Sequence, residues 1–193
     1  MKKRAKAIGY LLAGFLLFWA VLTLWANYSG KQQTFTIGNA AARRNALILY
    51  NADPFYNLDE QVCRRIAEGL SYHDFSSKVA TINQAHDDRK PYDLYVFCAN
   101  TYNWAPDWPT AKFIRTHEGL AGKNVVALTL GAGSTQWSKD KLEALLRSKK
   151  ANILASKSYW LLRPNDEKRS EENIQVATDM AKALGDSLGR ILN

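Results

Sequence analysis

No acidic residue precedes Asp53. The first 44 residues carry Lys2, Lys3, Arg4, Lys6, Lys31, Arg43 and Arg44, with nothing of opposite sign. Taking those seven from the 26 basic residues of the chain leaves 19 beyond position 44, against 18 acidic ones. The net charge of +8 therefore belongs to the N-terminal segment, and residues 45–193 are close to neutral. A nucleic-acid surface needs basic charge clustered on the folded domain, so this distribution excludes that class of partner.

Cysteine is scarce as well. Cys63 falls in a helical pattern and Cys98 in a strand pattern, and two such residues read as small buried hydrophobes rather than a disulfide framework. His73, His86 and His117 are scattered, without metal-ligand spacing to one another or to the cysteines, so no metal site is expected. The stretch "GAGST" (131–135) is not a nucleophile elbow, and no Ser-His-Asp order presents itself. "AHDDRK" (85–90) and "LLRPNDEKRSEEN" (161–173) read as solvated, charged links, the second long enough to touch a partner.

What is present begins with a long hydrophobic run. Ala7 to Ala26 is uncharged over 20 residues, about 30 Å of helix at about 1.5 Å per residue, enough to cross a bilayer core. Trp19, Trp25 and Tyr28 lie toward its far end, where aromatic rings prefer the membrane interface. A basic start and an apolar run also fit a signal peptide. This run, however, exceeds the roughly 7–15 residues of a signal core, and "LTLWANYSG" offers no small-x-small cleavage site. "AAA" (40–42) lies too far beyond the run. We read a single-pass anchor with its basic N-terminus (1–26), a polar tether (27–44) and a folded domain (45–193). Four basic residues precede the span and only Lys31 follows closely. That bias puts the N-terminus in the cytoplasm and the domain on the outer side.

Within the domain, apolar runs alternate with amphipathic ones. "NALILY" (45–50), "KVATIN" (78–83), "YDLYVFC" (92–98), "KNVVALTL" (123–130) and "ANILASKSYWLL" (151–162) read as strands. The first and fourth are almost continuously aliphatic, as strands covered on both faces must be. Leu58, Val62, Ile66 and Leu70 recur every four residues on one helical face. A second helix spans 139–149, with Ser138 as its expected N-cap and Trp137 stapling onto Leu142. A last helix is expected from a Ser170 cap through Ile174, Ala177, Ala181, Leu184, Leu188 and Ile191. Strand–helix alternation predicts an α/β, doubly wound parallel sheet of five strands. The link from Asn83 to Tyr92 is short for a crossover helix, so a turn is expected there.

Order and motifs together resemble the flavodoxin-like family over about residues 45–192. The resemblance is carried by "IAEGL" (66–70), "YDLYVFCANTYNWAPDWPTAKFI" (92–114) and "LAGKNVVALTLGAGST" (120–135). It implies strand order 2-1-3-4-5, FMN at the carboxyl ends of strands one, three and four, and electron transfer to a membrane redox partner or quinone. It also implies cofactor contacts from Asn51, Tyr56, Asn57, Asn100, Thr101, Tyr102, Trp104, Gly131 and Gly133. Tyr102 and Trp104 would stack on the flavin, and the glycines would admit backbone N–H groups to its polar edge. Loop packing explains the same aromatic residues equally well.

The turn after the first strand departs from the family. "NADPFYN" (51–57) has no Ser, Thr or Gly, and Asp53, Asp59 and Glu60 crowd the place of the FMN phosphate. At an effective dielectric of about 20, a phosphate dianion about 5 Å from Asp59 meets repulsion of a few kcal/mol. Asn57 and Glu60 resemble a capping box that would satisfy the helix-start amides internally. Three readings follow: FMN held weakly, a cation bridging carboxylate and phosphate, or a non-flavin binding module that has kept only the fold.

Overall fold

The computed structural model describes residues 2–28, 30–54, 56–85, 88 and 90–193. Along the chain come α1 (Lys2–Ala26), β1 (Thr34–Ile37), β2 (Arg44–Tyr50), α2 (Leu58–Ser71), β3 (Phe75–Thr81), a 3-10 turn (Ile82–Gln84) and β4 (Leu94–Tyr102). They are followed by β5 (Ala105–Pro106), α3 (Trp108–Thr116), β6 (Asn124–Gly131), α4 (Gln136–Ser148), β7 (Asn152–Trp160) and α5 (Asn173–Leu192). Side-chain alternation sorts the strands into two buried layers. Ile48, Tyr50, Val96 and Leu128 meet Ile66 and Ala181 of α2 and α5. Leu47, Leu49 and Phe97 meet Ile114 and Leu142 of α3 and α4.

The expectation of five strands, all parallel and in the order 2-1-3-4-5, is overturned. The sheet has seven strands of mixed direction, along β1-β3-β2-β4-β6-β7, with β5 paired to β4. β1 runs antiparallel to β3, from Thr34 opposite Ala80 to Ile37 opposite Ser77. It comes from the segment read as tether, where four residues are too few to display a strand period. Its pairing covers the outer edge of β3, which would otherwise present unpaired backbone groups. β5 returns antiparallel along the end of β4, with Tyr102 opposite Ala105. The two residues between them, Asn103 and Trp104, both have positive φ (50° and 57°), as a two-residue type I′ hairpin demands. Asn tolerates that conformation, whereas a bulky Trp there is strained.

Three local expectations are also corrected. Asn57 stands at the N-cap of α2 without a side-chain capping bond, its carboxamide oxygen instead accepting from Gln61 at 2.6 Å. Ser138 is buried inside α4, which starts after Thr135. Trp137 is likewise inside that helix and exposed. α5 starts only at Asn173, because the Asn173 carboxamide donates to the carbonyls of Trp160, Leu161 and Arg163 and so fastens the preceding loop. Between β3 and β4 the described residues form only the 3-10 turn; His86, Asp87 and Arg89 of the expected link lie outside the described residues. Cys63 and Cys98 are both buried and free.

α1 is long and apolar enough to cross a membrane, with mean hydropathy 2.2 over residues 6–26 and its apolar window unburied. Its last turn, by contrast, is fastened to the domain. The Asn103 carboxamide donates to Thr23 Oγ1 at 3.0 Å, and Trp108 N–H donates to Asn27 Oδ1 at 2.8 Å.

Candidate functional site

The carboxyl ends of β2, β4 and β6 surround a crevice of about 240 Å³. One wall is apolar, from Leu58, Leu130 and Leu161, and the other is built from Asp53, Asp59, Asn100 and Tyr102. A larger cavity, about 630 Å³ beside Tyr95, His117 and Lys123, opens at the amino ends of the strands. Ligands of open α/β sheets bind at carboxyl ends, so the smaller crevice is the candidate.

Asp59 is its centre. The side chain is only 2% exposed, and α2 aims it back across its own N-terminus. Its Oδ2 accepts from Asp53 N–H at 2.7 Å and from the Asn100 carboxamide at 3.2 Å, while its Oδ1 accepts from Glu60 N–H at 2.7 Å. Asp53 does the same one step out, accepting Tyr56 N–H at 3.0 Å and the Tyr102 hydroxyl at 2.6 Å. A carboxylate at a helix N-terminus gains from charge-assisted bonds and the helix dipole. Loop and helix-start amides that would hold a phosphate are thus already bound to carboxylates. The residues present do not fit the FMN phosphate.

Glu60, expected to crowd the same place, turns aside to pair with Arg64 at 2.8 Å. A second buried acid behind the crevice, Asp107, was not singled out from the sequence. Asp107 is fully buried and caps α3, accepting from Thr110 N–H and from Asn100 N–H, each at 2.9 Å. Asn100 links the two acids, and its carboxamide also donates to the Asn51 carbonyl at 2.8 Å. Burial pushes Asp59 up to about 6, against its three donors. Burial, with Asp59 adding to it, pushes Asp107 up to about 7. Burial and the bond to Asp53 hold the Tyr102 phenol well above its ordinary range.

These two acids set a pH dependence. Both fold with raised pKa, so between pH 4 and 7 the native state holds more protons than the unfolded chain, and stability falls as pH rises. His117, lowered by burial, works the other way below its ordinary 6.5. Asp88, Asp179 and Asp186, lowered in the native state, withdraw their contribution only below about pH 4. The full chain should therefore be more stable at pH 5 than at pH 8, by roughly 2 kcal/mol. Urea unfolding in detergent at the two values checks it, and equal midpoints would refute it.

Of the expected cofactor residues, the fold gathers Tyr56, Asn100, Thr101, Tyr102 and Gly131 around the crevice. Asn51 is buried beneath it. Asn57, Trp104 and Gly133 are not among its walls. Gly131 has a packing reason for lacking a side chain: an added Cβ would stand 2.8 Å from Thr135 Cγ2. Nothing in residue order signals that the tether packs near the ends of β2 and β3. An added Cβ on Gly30 would lie 3.6 Å from the Ala52 carbonyl oxygen, and Thr81 N–H donates to the Gln33 carbonyl at 2.9 Å. Gly30 and Gln33 thus lie against the carboxyl ends of β2 and β3.

No family model matches the chain, and no curated protein matches it. Solved structures do. A flavodoxin from the domain Archaea aligns at 13% identity and TM-score 0.59, over 77% of this chain and 98% of its own. The two-electron reduced flavodoxin of Megasphaera elsdenii aligns at 16% and 0.56, over 75% and 98%. A flavodoxin, WrbA-like protein from Agrobacterium tumefaciens aligns at 14% and 0.53, over 78% and 99%. The domain has a flavodoxin-like fold.

Proposed function

We propose that this chain is a membrane-anchored binding module on a flavodoxin-like fold, whose crevice takes a neutral or cationic, non-phosphorylated ligand. The single observation behind this reading is Asp59, which occupies the donors a flavin phosphate would need. The apolar wall and the Asp53–Tyr102 pair suit a ligand with an apolar body and a hydrogen-bonding head. A crevice of about 240 Å³ lies below the roughly 300–1,000 Å³ of ordinary small-molecule pockets, which favours a small ligand. In this reading residues 1–26 anchor, 27–44 connect and 45–193 bind. The basic residues Lys2, Lys3, Arg4 and Lys6 favour a cytoplasmic N-terminus in this reading. A compartment-sensitive reporter on the C-terminus tests that orientation, and a cytoplasmic signal would reverse it.

The second reading is FMN-dependent electron transfer to a membrane partner or quinone, and the likeness to flavodoxins favours it. Titrating FMN into the full chain in detergent separates the two. The binding-module reading expects unquenched flavin fluorescence and a colourless protein after removal of excess FMN at pH 8. Retained yellow absorbance would overturn it in favour of electron transfer.

A further inference from the structure

Three tryptophan side chains of the domain are exposed at the carboxyl end of the sheet: Trp104 (55%), Trp108 (54%) and Trp137 (65%). They come from three different places, the β4–β5 hairpin and the first turns of α3 and α4. The rings of Trp104 and Trp137 lie 6.3 Å apart, and Lys141 donates to the Trp104 carbonyl at 3.1 Å. Burying one such ring is worth about 1.5–3 kcal/mol, and Trp104 also keeps a strained positive φ where glycine is the usual occupant. Among the described residues, nothing in the domain covers this apron. The last turn of α1 ends against it, because Thr23 and Asn27 are bonded to Asn103 and to the backbone of Trp108.

We infer that this tryptophan apron lies in the interfacial layer of the same bilayer that α1 enters, so that the crevice opens toward lipid. The inference rests on the anchor reading above. A helix of about 30 Å fills the hydrocarbon core, so its final turn emerges at headgroup level. Whatever is hydrogen-bonded to that turn is held at the same depth. Tryptophan is the side chain with the strongest preference for that layer, since its ring is apolar and its N–H seeks a polar partner. Trp25 and Tyr28, at the end of the span, belong to the same belt. One consequence concerns access: a ligand dissolved in the membrane reaches the crevice without crossing bulk water.

Depth-dependent quenching tests it. The full chain with Trp19→Phe and Trp25→Phe retains Trp104, Trp108, Trp137 and Trp160, and is reconstituted in phosphatidylcholine vesicles with acyl chains brominated near the headgroup. Emission should fall about twofold against unbrominated vesicles, since three of the four remaining rings then sit near the bromines. Adding Trp104→Phe, Trp108→Phe and Trp137→Phe should abolish most of that loss. Flotation of the same vesicles is measured in parallel. Protein that floats without quenching overturns the inference alone, and leaves the apron for a second copy or a protein partner. Protein that does not float overturns the anchor reading and this inference with it.

Discussion

Gly69→Ala is expected to destabilise the domain more than any exposed substitution, by about 2–4 kcal/mol in urea unfolding followed by circular dichroism. Helix propensity alone argues the other way, since Ala is better than Gly in a helix interior by about 1 kcal/mol. Packing wins. An added Cβ at Gly69 would stand 2.2 Å from the Lys182 carbonyl oxygen and 2.6 Å from the Asp186 nitrogen. At Gly185 it would stand 2.2 Å from the Ile66 carbonyl oxygen. These are backbone atoms, so only separation of α2 from α5 relieves the clash. That separation opens the layer built on Val62, Ile66, Ala177 and Ala181. Because one gap serves both glycines, Gly69→Ala with Gly185→Ala should cost less than the two singles together. A single variant as stable as the parent would show that the helices do not cross so closely.

Asp59→Ser is expected to lower the melting temperature and to create a response to inorganic phosphate that the parent lacks. Removing the carboxylate ends the burden of a buried charge, yet it leaves Asp53 N–H, Glu60 N–H and the Asn100 carboxamide short of acceptors. Unpaired buried donors cost about 1–3 kcal/mol, so the net loss is about 2 kcal/mol, or about 4–8 °C for a domain of this size. The emptied position then has amides at a helix N-terminus, an anion site in its own right. Phosphate should restore much of the lost stability in the variant and leave the parent unmoved. If phosphate stabilises both equally, the parent's amides are open to anions and the binding-module reading fails.

Much of this molecule was legible in residue order because much of it is local. The aliphatic runs at 45–50 and 123–130 became buried strands, and the four-residue spacing of Leu58, Val62, Ile66 and Leu70 became the buried face of α2. "IAEGL", used only as a motif, has its physical cause in Gly69, where α5 crosses. The crowding of Asp53 and Asp59 at the first turn was also readable, since both lie within a few residues of the helix start. Glu60 was misjudged because an Arg64 one turn later takes it away. The Asp107 cap was open to view in "DWPT" (107–110), an acid three residues before Thr110 with proline in the first turn, but its bond to Asn100 forms only after β4 has turned back on itself.

By itself, then, the sequence determined the five long strands and three of the domain's helices, though not β1, β5 or α3, as well as where the long apolar helix lies and that negative charge stands at the first turn. Those properties follow from side-chain period and composition within a few residues. Tertiary structure alone decided that the tether supplies β1, that Asp59 takes up the turn's own amides, and that the end of α1 is bonded to Asn103 and Trp108. The first and last rest on hydrogen bonds between residues far apart in the chain, such as Thr81 with Gln33 and Asn27 with Trp108, which no local pattern encodes. The second spans only a few residues, but its geometry depends on Asn100 and Tyr102 arriving from β4.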